Sequence, residues 1–90
     1  MTRPRGFQLD TFTRIDTLID MNSRDGVDEA KSLLSRFKGK SEALSNAIDE
    51  FLLDFITLVF LIESGEEVFQ TSIRKLARTR LSKIKLLVGA

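Results

Sequence analysis

The sequence predicts an all-α fold, a compact four-helix domain with a long and largely buried third helix, and a homodimer as its expected assembly. Three observations carry this prediction. Apolar residues recur at steps of three and four in four successive segments, which places them on one face of a helix each time. No run alternates with period two between turn residues, so no strand is predicted. The stretch FLLDFITLVFLI, from Phe51 to Ile62, is interrupted only by Asp54 and Thr57, so it is apolar over far more than the roughly 100° stripe an ordinary surface helix buries.

Along the chain, residues 1–9 contain Pro4 and Gly6 and are expected as a flexible lead-in, with residues 10–90 forming a single helical domain. From Asp10 the first helix carries Phe12, Ile15, Leu18 and Ile19 on one face. A break follows in NSRDG. Asp25 is the expected cap of the second helix, with Asp28 and Glu29 favouring its positive end and Val27, Ala30, Leu33, Leu34 and Phe37 forming its apolar side. Lys38 and Gly39 suit its end. Ser41 opens the third helix, which runs to Glu63. Ser64 and Glu67 have the spacing of a capping box for the fourth, and Gly65 eases the reversal. The fourth helix then carries Phe69, Ile73, Leu76, Ala77, Leu81, Ile84 and Val88 at steps of three and four.

The central run is too short for a membrane span, which needs about 20 apolar residues, and it holds an acid. A helix buried on two sides accounts for it. One face is Phe51, Phe55, Leu58 and Ile62; another is Leu52, Ile56, Val59 and Phe60. The other helices of the same chain could cover both. Alternatively a second copy supplies one layer, and because the first two helices are short the second copy is the expectation. Asp54 falls on the one polar strip and is expected at a solvated edge. The interface residues this reading selects are Leu52, Phe55, Ile56, Val59, Phe60, Ile73, Leu76, Arg80 and Ile84.

Net charge of +1 hides a division. Residues 41–70 hold acids and no base, and residues 71–90 hold bases and no acid. In an antiparallel hairpin the two sets would attract along their seam. Arg80 lies inside the apolar stripe of the fourth helix. It either snorkels to solvent or meets a carboxylate, for which Asp54 and Glu50 are the candidates. Arg74, Arg78 and Lys85 share one flank and could follow a phosphate backbone, so a small DNA- or RNA-binding protein using this helix is the alternative function. Against it, no Trp or Tyr is present to stack on bases, and acids open the second helix, where a helix-turn-helix would meet phosphate.

The chain has no Cys and no His, which closes thiolate and imidazole metal sites and the usual nucleophilic triads. Asp49 and Glu50 diverge by about 100° on a helix, and Glu66 and Glu67 sit in a turn, so neither pair forms an acid/base couple. No phosphate-binding glycine loop or EF-hand spacing occurs. The expectation is a non-catalytic, cytoplasmic protein without cofactor or metal. It would be an adaptor, a regulator or an assembly subunit that self-associates through apolar surface of its third and fourth helices and binds another protein.

Overall fold

The computed structural model describes the backbone of residues 4–89 and the side chains of residues 10–89. Four helices follow one another: α1 (Pro4–Met21), α2 (Arg24–Ser35), α3 (Glu42–Glu63) and α4 (Gln70–Val88). Each packs on its neighbours in chain order, and α4 returns to α1, so the four close into a ring. The α3–α4 hairpin is its most extensive pairing. Among the described residues, no helix is long and apolar enough to cross a membrane.

Of the lead-in expected over residues 1–9, residues 1–3 lie outside the described residues, and from Pro4 the backbone is already helical. Proline suits a first helical position, where its missing N–H has no intrahelical partner to lose. At the α1–α2 break Asn22 takes a left-handed backbone (φ 57°), a conformation that Asn tolerates better than most residues. The cap of α2 is Ser23, not Asp25. Its hydroxyl accepts from the Gly26 N–H at 3.0 Å, which leaves Asp25 as an acid within the first turn.

Ser41 caps α3 as its spacing predicts, accepting from the Leu44 N–H at 3.1 Å. The predicted capping box at the α3–α4 turn does not form. Ser64 instead closes α3, donating its hydroxyl to the carbonyls of Phe60 and Leu61. Gly65 then takes φ 77°, which only glycine adopts without strain. Glu66, rather than Glu67, organises the turn by accepting from the Val68 N–H at 2.8 Å.

The core is one cluster drawn from all four helices, with Phe12, Phe51, Phe55, Ile15, Ile48 and Leu58 among its fully buried side chains. Phe12 stacks on Phe37, their centroids 6.0 Å apart, which ties α1 to the turn that follows α2. From α4 it receives Ala77, Leu81 and Ile84.

Candidate interaction surface

The two apolar faces of α3 have different fates. Phe51, Phe55 and Leu58 are sealed in the core of the chain, with Ile62 partly buried against it. The second face is split. Leu52 and Val59 turn inward and are buried, whereas Ile56 and Phe60 remain 51% and 65% exposed. Leu53, which sequence periodicity did not single out, joins them at 64%. Leu53, Ile56 and Phe60 fall within about 60° of one another at roughly 100° per residue, on the side of α3 away from the buried Phe51, Phe55 and Leu58. A single chain thus leaves a stripe of three large apolar side chains exposed along the C-terminal half of its longest described helix.

Beside this stripe lies a hollow lined by Val27, Val59, Ile56 and Phe60, with Arg24, Asp28 and Glu63 at its rim. On α3 the lining residues 56, 59, 60 and 63 stand at i, i+3, i+4 and i+7. That is the four-residue diamond into which a side chain of another helix inserts in knobs-into-holes packing.

Ion pairs frame the surface. Arg24 reaches from the start of α2 to the end of α3 and grips Glu63 with both Nε and Nη2, at 2.9 and 2.8 Å. Lys38 holds Asp49 at 2.8 Å. Arg14 similarly ties α1 to Glu29 of α2. In these Arg–Glu pairs the side-chain hydrogen bond, reinforced by charge, lowers the carboxyl pKa of Glu29 and Glu63 and raises the pKa of each guanidinium.

The expected attraction along the α3–α4 seam narrows to one cluster. Arg80 bonds Asp54 through Nε and Glu50 through Nη1, the latter at 3.1 Å. The Asp54 side chain retains only 15% of its exposure, so it is not the solvated edge residue its strip suggested. Elsewhere Glu63 of α3 finds Arg24 on α2, Asp49 finds Lys38 in the turn after α2, and Arg78 of α4 finds Asp16 and Asp20 on α1. The Asp20 hydrogen bond raises the Arg78 pKa.

Of the nine residues selected as interface, Phe55, Ile84, Val59 and Leu52 belong to the core of the chain itself. Ile73 is partly buried against that core and Arg80 is held by its carboxylates, leaving Ile56, Phe60 and Leu76 with open apolar surface. Of the three basic residues of the alternative reading, Arg74 donates to Asn22 Oδ1 at 2.8 Å and Arg78 is held as described, so both guanidinium groups are engaged within the chain. Lys85 lies on the same flank and is half-buried. Among the described residues, no group of three or more acidic side chains is placed to hold a metal ion.

No protein-family model matches the chain, and no curated protein or solved structure is significantly similar to it.

Proposed function

We propose that the protein is a non-catalytic helical interaction module, an adaptor, regulator or assembly subunit that works by self-association through the outward side of its α3–α4 hairpin. The observation that carries this reading is the exposed stripe Leu53, Ile56 and Phe60. Single exposed apolar residues are ordinary on any surface, but three large ones aligned on one helix beside an apolar hollow mark a contact site. Leu76, at 38% exposure on α4, adds apolar surface on the same hairpin. Absence of His and Cys supports the non-catalytic part of the reading. DNA or RNA binding is less well supported, because phosphate would have to displace Asp16 and Asp20 from Arg78 and Asn22 from Arg74.

Solution mass across a dilution series, at low and at high salt, tests this. The expected result is association above the 10.2 kDa chain mass that strengthens with concentration and changes little with salt, as apolar contacts do. A chain mass of 10.2 kDa at every concentration and salt would contradict self-association.

A further inference from the structure

The stripe has an internal arrangement that says more about what covers it. Asn46, Asp49, Leu53, Ile56, Phe60 and Glu63 succeed one another at steps of three, four, three, four and three, the spacing of a coiled-coil seam, on the exposed side of α3. The seam is apolar at its centre and polar at both ends. It is also close to a palindrome about Ile56. Leu53 and Phe60 flank that residue, and the acids Asp49 and Glu63 stand equally far before and after it. Each of those acids already carries a base, Lys38 from the turn after α2 on Asp49 and Arg24 from α2 on Glu63.

We propose, resting on the self-association reading above, that the occupant of this face is a second copy of the chain with its α3 antiparallel to the first. Leu53 of each copy then packs on Phe60 of the other, and Ile56 meets its counterpart at the two-fold axis. At either end the Lys38–Asp49 pair of one copy lies beside the Arg24–Glu63 pair of the other.

Three physical arguments select this partner. A near-palindromic seam is self-complementary, which is what an isologous two-fold contact requires. The charges complement in the same alignment. An acidic helix laid on itself would repel if its flanking carboxylates were bare, but here each end sets the bases Lys38 and Arg24 among the acids Asp49, Glu63 and Asp28, which offsets most of that repulsion, with Lys38 of one copy facing Glu63 of the other and Arg24 facing Asp49. Antiparallel alignment also opposes the two helix dipoles and sets the small Leu53 against the large Phe60, where a parallel pair would stack Phe60 on Phe60. The hollow at Val27, Ile56, Val59 and Phe60 receives the facing apolar side chain. Three side chains alone hide less than the roughly 800 Å² per partner of a standard interface, so the rest must come from α2 at its rim, and the complex is expected to be of modest affinity.

The chain has no cysteine, so a single introduced thiol reports on one position. Ile56→Cys, Leu53→Cys and Phe60→Cys, with Lys75→Cys on α4 as the control, are exposed to a mild oxidant and read on a non-reducing gel, with circular dichroism confirming each fold. A disulfide needs Cβ atoms within about 4.5 Å, so Ile56→Cys should couple to itself at least about tenfold faster than the control. Leu53→Cys and Phe60→Cys should couple slowly alone and rapidly when mixed. Rapid self-coupling of Leu53→Cys would overturn the antiparallel pairing in favour of a parallel one. Control-level rates for Ile56→Cys and for the Leu53→Cys with Phe60→Cys mixture, in a protein whose mass is twice the chain, would place the dimer elsewhere and overturn the proposal while sparing self-association. The same rates with a monomeric mass would overturn both.

Discussion

Replacing Asp54 with Asn removes one negative charge from the only ion cluster that joins α3 to α4 among the described residues, and leaves shape almost unchanged. Hydrogen bonds to charged groups contribute about 1.5–3 kcal/mol where water is excluded. Here Arg80 keeps 32% of its side-chain exposure and Asp54 keeps 15%, so some screening remains, and Glu50 stays within 3.1 Å to share the guanidinium. The expected loss is therefore about 1–2 kcal/mol at neutral pH, or roughly 5–12 °C in melting temperature for a domain of this size. Glu50→Gln, at a half-exposed partner, should cost about 0.5 kcal/mol or less. Replacing both members of the tighter pair, as Asp54→Leu with Arg80→Leu, should fall within about 1 kcal/mol of the native protein, because no charge is left buried without a partner. Urea unfolding followed by circular dichroism measures all three. Equal stability of Asp54→Asn and the native chain, or equal losses for Asp54→Asn and Glu50→Gln, would refute the reasoning that burial at Asp54 makes this contact the strong one.

Two phenylalanines on α3, five residues apart in sequence, should behave oppositely. Phe55→Asp forces a charge into a site with no exposure and should abolish the cooperative unfolding transition, while Phe60→Asp at 65% exposure should leave it within about 0.5 kcal/mol and abolish self-association. Capping can be checked in the same way: Ser23→Ala and Ser41→Ala should each cost about 1 kcal/mol in urea unfolding, and Asp25→Ala distinctly less than Ser23→Ala. For pH, the lowered carboxyl pKa values of Glu29 and Glu63 mean that their pairs with Arg14 and Arg24 add stability above the unfolded glutamate value of about 4.3, and that this is lost as pH falls through the folded values. Carboxyl NMR titration should place both midpoints below that value, and Arg14→Ala and Arg24→Ala should raise the midpoints of Glu29 and Glu63 respectively.

Much of the fold was legible because apolar periodicity is enforced by burial. Phe12, Ile15, Leu18 and Ile19 on α1, and Ala77, Leu81 and Ile84 on α4, were placed on the correct faces by spacing alone. Ser41 was legible as a cap because a lone serine precedes an uninterrupted helix. Ser23 and Ser64 were not, since each stands among competing polar residues, and which hydroxyl reaches a free backbone group depends on how the chain enters the turn. The Arg80 cluster was readable as a short set of candidates, because a cation in an apolar stripe needs a partner and only Asp54 and Glu50 were near its level. Leu53 was missed. It sits in the same apolar run as its buried neighbours, and nothing in the run's composition tells which arc of α3 the other three helices leave open. That arc is fixed only by ring closure, in which α2 and α4 flank α3 and none of the described helices lies across its outer side.

Methyl NMR on a dilution series tests most directly whether that outer side is a contact surface between copies. Methyl resonances of Leu53 and Ile56 should shift progressively with concentration while those of the buried Ile15, Ile48 and Leu58 stay fixed. Stripe methyl resonances that do not move from micromolar to millimolar protein would contradict the assignment of this face to self-association.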